Sequence, residues 1–159
     1  MRSRSMRGIV MGSVLACLAA GIAGAQDKPV DSLEALRERA RTDKKAVVAS
    51  VVDLTESEAR AFWPVYNAYQ SDMSGHYDRV LAFIDAYAKA YDTMTDETAA
   101  KLLNRFLTLE RDHVALLNSY VPRFRKVLPA KKVARLYQIE NKLRAIVNYE
   151  LAREIPFVK

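Results

Sequence analysis

The sequence predicts an all-α protein, and three observations support this fold class. Four of the five glycines lie within the first 25 residues, which leaves only Gly75 for the rest of the chain. Because the turns and bulges of β-sheets depend on glycine, a β-rich fold is disfavoured. Apolar residues recur at intervals of three or four in four segments. Thr55 and Thr95 stand where helix caps are expected. We therefore expect four helices.

Length and composition indicate one soluble, folded domain. The chain has 159 residues, about the length of a single domain. Half of the residues are hydrophobic and 28% are charged, as in globular rather than disordered proteins.

The first 25 residues have the pattern of a secretory signal peptide. Three arginines in MRSRSMR precede the apolar run GIVMGSVLACLAAGIAG, and the small residues AGA end at Ala25. The run is short for a membrane span. We predict cleavage after Ala25, a periplasmic location, and a single helical domain over residues 26–159. The one cysteine, Cys17, lies in this run, and lipidation at VLAC is the alternative to plain cleavage.

Export also changes the charge balance. Removing the three arginines leaves 22 Lys and Arg against 19 Asp and Glu, so the net charge falls from +6 to +3. This mild bias does not indicate a nucleic-acid partner. The processed chain has no cysteine nucleophile, and the sequence contains no serine elbow and no glycine-rich phosphate loop, so we predict that the protein is not an enzyme.

The first helix is predicted over DSLEALRERARTDKKAVVASVVD. Its apolar residues form a rough stripe, interrupted by the charged sequence RERARTDKK. The stripe consists of Leu33, Leu36, Ala40, Val47 and Val51.

The second helix has a strong start. Thr55 and Glu58 in TESE form a predicted capping box, in which each side chain binds a backbone N–H group of the first turn. A long aromatic seam follows at intervals of three or four residues. It consists of Phe62, Tyr66, Tyr69, Met73, Tyr77, Val80, Ile84, Tyr87 and Tyr91.

The third and fourth helices are predicted from their caps and seams. Thr95 precedes Asp96 and Glu97, whose negative charges suit the start of a helix dipole. The third seam consists of Leu102, Phe106, Leu109, His113, Leu116, Tyr120 and Phe124. Pro129 is placed in the first turn of the fourth helix. The fourth seam consists of Val133, Leu136, Ile139, Leu143, Ile146, Val147 and Leu151.

The second and third helices are predicted to form a long antiparallel hairpin that turns near Met94. Pro64 and Pro122 then lie at nearly the same height, about 30 residues before and after the turn. Each proline removes a backbone hydrogen bond and clashes with the preceding turn, so we expect both helices to kink there. The alternative is that each proline marks a helix end.

The two ends of the hairpin carry a faint repeat. LTESEARAFW and LPAKKVARLY align with Leu54 on Leu128, at an offset of 74 residues. LTESE before an aromatic helix, echoed by LPAKK in an exported and nearly glycine-free chain, resembles the Spy/CpxP family of periplasmic proteins and its repeated LTxxQ motif. The similarity covers roughly residues 54–140. Glu58 replaces the motif glutamine, and in the second copy Pro129 and Lys132 replace its threonine and glutamine.

The resemblance implies a bent, cradle-like homodimer of long helices. It implies that the protein holds unfolded or partly folded envelope proteins without ATP, or acts as an envelope-stress adaptor on a sensor protein. Leu54, Thr55 and Glu58 carry the first motif, and their physical role is helix capping.

A client-binding surface is expected to combine aromatic and cationic side chains. Arginine pairs with acids and stacks on rings, and tyrosine offers apolar area with a polar tip. The candidates are Arg60, Trp63, Tyr66, Arg105 and Arg111. The alternative for the aromatic residues is packing in the core.

The hairpin also suggests a metal site as an alternative function. If facing residues have numbers that add to about 187, then His113 lies near Met73, and Glu110 lies near His76. Imidazole with carboxylate suits a divalent transition metal, and a thioether favours copper(I). Gly75 would allow close approach there. The simpler interpretation is that the histidines are core residues satisfied by neighbouring acids, and no other cofactor is predicted.

A third hypothesis is a structural protein that docks one fixed partner. The C-terminal REIPFV is apolar, and Pro156 is expected to end the fourth helix. This tail docks either on a partner or on the hairpin of its own chain.

Overall fold

The described residues form an all-α structure, which confirms the predicted fold class. The computed structural model describes the backbone of residues 33–158 and the side chains of residues 42–158. This part of the chain contains four α-helices and no strand. The helices are α1 (Leu33–Val52), α2 (Glu56–Ala90), α3 (Asp96–Arg125) and α4 (Ala130–Glu154). The predicted signal peptide, its cleavage after Ala25, and Cys17 lie outside the described residues.

The chain divides into two compact units. Among the described residues, one unit comprises residues 33–53 together with Ala134–Pro156, and the other comprises Leu54–Val133 with residues 157–158. The first unit therefore contains α1 and most of α4. The second contains the α2–α3 hairpin and the first residues of α4.

In the first unit, α1 contacts α4 through an ion pair of low exposure. Lys44 Nζ lies 2.8 Å from Glu140 Oε2. Burial, and to a smaller extent the Glu140 carboxylate, raises the pKa of Tyr137 to about 12. Helix α1 ends at Val52, and the next residue, Asp53, adopts a φ of 57° and donates its N–H to the carbonyl of Ala49. Aspartate tolerates this left-handed conformation better than most residues.

The face that α1 buries differs from the predicted one. Val48 and Val52 are fully buried, whereas the predicted Val47 is exposed and Val51 is half-buried. The predicted stripe runs from Leu33 through the charged RERARTDKK sequence, where the small Ala40 is the only apolar residue and fixes the phase of the stripe poorly. A shift of one residue rotates the face by about 100°.

In the second unit, α2 and α3 pack antiparallel over most of their length. A 3₁₀ turn at Tyr91–Thr93 joins them, and Thr95 caps α3 by accepting the N–H of Thr98 at 3.2 Å. The predicted turn near Met94 and the predicted cap are therefore confirmed. Three ring pairs show the register: Tyr69 with Tyr120, His76 with His113, and Phe83 with Phe106. The numbers in each pair add to 189, against the 187 predicted.

Nine of the sixteen predicted seam residues of α2 and α3 are buried and five are half-buried, with two exposed exceptions. Phe62, Tyr66, Tyr69, Met73 and Ile84 of α2 are buried, as are Leu109, His113, Tyr120 and Phe124 of α3. His76 rather than Tyr77 lies on the α2 seam, and Tyr77 is 36% exposed. Phe106 is 44% exposed. Both exceptions occur in the half of the hairpin near the turn.

Both prolines lie inside helices that continue past them. Pro64 is in the third turn of α2, and Pro122 is in the last turn of α3. The alternative that either proline marks a helix end is therefore wrong. The expected kinks stay predictions.

The fourth helix begins at Ala130, immediately after Pro129. The carbonyl of Pro129 accepts the N–H groups of Lys132 and Val133. Val133 and Leu136 are buried as predicted, whereas Ile146 is exposed. The helix ends at Glu154, two residues before Pro156, and Phe157 beyond it is 95% exposed.

Candidate functional site

The first copy of the repeated motif forms the predicted capping box at the start of α2. The Thr55 N–H donates to Glu58 Oε2 at 2.8 Å, and the Glu58 N–H donates to Thr55 Oγ1 at 3.3 Å. Two backbone donors that α2 itself leaves unbonded are thereby satisfied. Leu54, the third motif residue, is half-buried next to this cap. The motif residues therefore have a structural role in starting the helix.

The two motif copies are joined by an ion pair. Lys132 Nζ lies 2.6 Å from Glu58 Oε2, and both side chains are about four-fifths shielded from solvent. These two residues occupy equivalent positions in the aligned copies. Hydrogen bonds from Lys132 and from the Thr55 backbone lower the pKa of the Glu58 carboxyl. This ion pair was not predicted from the sequence. The alignment of LTESE with LPAKK nevertheless matches Glu58 with Lys132, and the two residues have opposite charges.

A cluster of aromatic rings fills the hairpin beyond this cap. Phe62 stacks on Tyr66 at 5.2 Å, and Tyr69 meets Tyr120 edge-on at 5.3 Å. The Tyr120 hydroxyl donates to Asp72 Oδ2 at 2.6 Å. Burial, followed by this hydrogen bond, raises the pKa of Tyr120. These aromatic rings therefore belong to the hydrophobic core of the hairpin.

The five candidate client-binding residues are not brought together. Tyr66 is fully buried, so its ring belongs to the core and is not offered to a client. Trp63 is half-buried, with its ring edge-on to Phe62 and Tyr66. Arg60, Arg105 and Arg111 are exposed at separate positions along the hairpin.

One of these arginines lines an open cleft between α2 and α3, which we call the hairpin cleft. Its volume is about 400 Å³. Ala82, Thr108 and Leu109 supply its neutral lining, and charged residues supply the rest. These charged residues are Asp78, Arg79, Arg105 and Asp112.

The cations of the hairpin cleft have ordered neighbours. Arg79 Nη2 lies 3.5 Å from Asp112 Oδ2, and both side chains remain about half exposed. The guanidinium of Arg105 lies over the Phe83 ring, 5.9 Å from its centroid. The cleft therefore carries charges of both signs, and one of its arginines lies over an aromatic ring beside the cleft.

The two histidines meet, as the hairpin register predicts. His76 and His113 are 3% and 4% exposed, and their ring centroids are 5.3 Å apart. Arg79 Nη2 lies 3.5 Å from His76 Nδ1.

The other two residues of the proposed metal site, Met73 and Glu110, differ in their exposure to solvent. Met73 is buried one turn before His76, but Glu110 is exposed. Within the described residues, no three His, Cys, Asp or Glu side chains converge as metal ligands would. Gly75 is exposed, and a Cβ there would meet nothing within 4 Å, so the expectation that this glycine permits a close approach is wrong.

The outer face of α3 carries apolar side chains that the sequence analysis did not single out. Leu103, Leu107 and Val114 are 58%, 47% and 52% exposed. Their spacing of four and seven residues places them on one face of the helix, so this second apolar face was predictable from the sequence. They lie on a different face from the buried Leu109, His113 and Tyr120.

Comparisons with family models, curated proteins and solved structures give no match to this chain. Membership of the Spy/CpxP family stays a hypothesis. None of the described helices combines the length and the apolar character needed to cross a membrane.

Proposed function

We propose that this chain is an exported, periplasmic helical protein that acts as a homodimer and holds partly unfolded envelope proteins without ATP. The observation that carries the proposal is the hairpin cleft. It is open, and it combines the neutral side chains of Ala82, Thr108 and Leu109 with charges of both signs and an arginine that lies over the neighbouring Phe83 ring.

This combination suits an unfolded segment of no fixed sequence. Such a segment presents apolar side chains, aromatic rings, acids and bases in changing order. Arg105 can pair with an acid or stack on a ring, and the exposed Ala82 and the half-buried Phe83 beside the cleft offer apolar contact. Arg79 and Asp112, which already interact with each other, can exchange that exposed pairing for a charged group of the client at little cost. Binding of this kind is weak and adaptable.

The test is aggregation of a reduced, unfolding protein with and without the purified, processed chain. We expect suppression at equimolar ratio or below, without ATP, and weaker suppression at high salt because the arginines contribute. An absence of suppression at several-fold molar excess would overturn the proposal. Binding to one envelope sensor protein instead would identify the protein as an adaptor.

A matched pair of variants tests the cleft itself. Arg105→Gln removes one cation that stacks on a ring, so the concentration needed for half suppression should rise about two- to fivefold. Lys142→Gln removes the same charge from an exposed position on α4 and should leave suppression unchanged. Equal effects of the two variants would show that only net charge matters and would exclude the cleft as the binding surface.

The histidine pair supports metal binding as a second candidate function. Two buried imidazoles meet across the hairpin, and the Met73 thioether is buried one turn away. Two nitrogens with a thioether suit copper(I) better than a hard cation. Copper(I) should then raise the melting temperature of the wild type but not of His113→Gln. Equal responses of the two proteins to copper(I) would exclude the site.

A further inference from the structure

The outer face of α3 carries a stripe of apolar residues with opposite charges at its two ends. Its apolar members are Leu103, Leu107, Val114 and Val121, with Asp96 before them and Arg125 after them. The intervals between these residues are seven or four and average about 3.6 residues per turn, so the stripe stays on one face of the helix. It extends over 29 residues, or roughly 44 Å.

This face is open to solvent in the single chain. Leu103, Leu107 and Val114 are about half exposed, and Asp96 and Arg125 are exposed. The buried seam of α3 faces α2 and does not use these residues. At 100° per residue, the stripe also points roughly 150° away from Arg105, Thr108 and Asp112, which line the hairpin cleft.

We propose that a second copy of this chain docks on the stripe, with the two α3 helices antiparallel. The centre and the charged ends of the stripe are complementary to themselves in this orientation and not in the parallel one, whereas Leu103 and Val121 lie opposite Asn118 and Ala100 of the second copy. When Leu107 faces Val114 of the second copy, the residue numbers of facing pairs add to 221. The same register brings Asp96 opposite Arg125 of the second copy. By two-fold symmetry, each pair occurs twice.

The centre of the stripe fits the same register. Glu110 and Arg111 are adjacent and exposed, and their numbers also add to 221. Each Glu110 therefore faces Arg111 of the second copy, next to the paired Leu107 and Val114. A parallel arrangement would instead place Asp96 against Asp96 and Arg125 against Arg125, which repel each other.

This inference rests on the homodimer of the proposed function, but it does not depend on client binding. The antiparallel pairing leaves both hairpin clefts open, so the dimer carries two binding surfaces. A client that reaches both clefts would be held more tightly than by one.

The experiment measures the mass of the processed chain by light scattering at micromolar concentrations. We expect a dimer for the wild type and a monomer for Leu107→Glu, which buries a charge in the pairing face. Leu81→Glu makes the same change on α2, at a side chain that is 40% exposed, and should remain a dimer. A monomeric wild type, or a dimeric Leu107→Glu that is still helical by circular dichroism, would overturn the proposal.

Charge exchange tests the direction of the pairing. Asp96→Arg and Arg125→Asp should each raise the dissociation constant about tenfold or more, since both end pairs become like-charged. An equal mixture of the two variants should form mixed dimers with the affinity restored. Glu97→Arg makes the same charge change about 100° away from the stripe and should have little effect. A mixture that does not recover would refute the antiparallel register.

Client suppression measured on the same variants separates the two proposals. Leu107→Glu monomers that still suppress aggregation would support the cleft while confirming the interface. A wild-type dimer that does not suppress aggregation would support the proposed interface and refute the proposed function.

Discussion

Glu58 links the starts of two helices through a single carboxylate oxygen. Its Oε2 accepts the N–H of Thr55, which belongs to the cap of α2, and the ammonium of Lys132, which lies in the first turn of α4. The cap was predictable because its two residues are three positions apart. The ion pair spans 74 positions, so local spacing alone does not reveal it.

The Glu58–Lys132 pair predicts a pH dependence of stability. The pKa of Glu58 is lowered in the folded chain, so its contribution is fully present above the unfolded value of 4.5 and is lost as the pH falls through the folded value. Lys132→Ala should lower the melting temperature at pH 7, and the difference from wild type should shrink as the pH falls toward 3. Melting curves across this range, with the neighbouring Lys131→Ala as control, give the measurement. A difference that does not change with pH would contradict the prediction.

Replacing Gly75 with alanine is expected to stabilise the protein. Gly75 lies in the middle of α2, is exposed, and has open space where a Cβ would stand. Gly75→Ala should raise the free energy of unfolding by about 0.5–1 kcal/mol, because alanine loses less backbone freedom when the helix forms. The exposed Ala68→Gly in the same helix should lower it by a similar amount. Urea denaturation measures both, and a loss of stability in Gly75→Ala would reveal a contact at this position.

At the scale of single elements, the helix ends were predictable and some helix faces were not. Thr55, Thr95 and Pro156 mark ends through local chemistry, and the structure places ends beside each of them. A face depends on phase, which packing decides. His76 is buried with its ring centroid 5.3 Å from that of His113, whereas the more apolar Tyr77 is exposed. In α1, the charged sequence RERARTDKK lacks the regular apolar spacing from which the buried face could be predicted.

The caps of α2 and α3 predict matching losses. Thr55→Ala and Thr95→Ala each remove a side-chain acceptor for an N–H of the first turn. Each should lower the free energy of unfolding by about 1 kcal/mol. Thr93→Ala, in the 3₁₀ turn between the helices, is the control and should change it little. Urea midpoints at constant slope measure these effects, and equal results for Thr55→Ala and Thr93→Ala would show that the box contributes nothing.

Pro64 makes the hypothesis of a kink in α2 testable. The helix continues through this residue, although proline lacks an N–H to donate to the carbonyl of Arg60 and its ring crowds that carbonyl. Pro64→Ala should straighten α2 and change the small-angle scattering curve. Pro129→Ala removes a proline just outside α4 and should leave the curve as in wild type. An unchanged scattering curve for Pro64→Ala would show that Pro64 does not kink α2.

At the scale of the whole molecule, the hairpin register was predictable to within two residues. Antiparallel helices joined by a short turn leave little freedom, so a turn placed near Met94 fixes which residues face each other. The hairpin cleft was not predictable, because its residues are separated in sequence and only Arg105 had been identified. The α3 stripe was present in the sequence at a helical spacing, but amphipathic spacing alone does not distinguish a second face from the core.

The proposed pairing of α3 helices links folding to association. If Leu107 and Val114 are buried only in the dimer, part of the apolar burial that stabilises the chain exists only when two copies meet. The melting temperature should then rise with protein concentration, by roughly 5 °C over a hundredfold range. Leu107→Glu should melt at one temperature over that range, whereas Leu81→Glu should keep the wild-type slope. Scanning calorimetry from about 1 to 100 µM measures this. A wild-type melting temperature independent of concentration would place the stability of the hairpin within the single chain and would contradict pairing through the stripe.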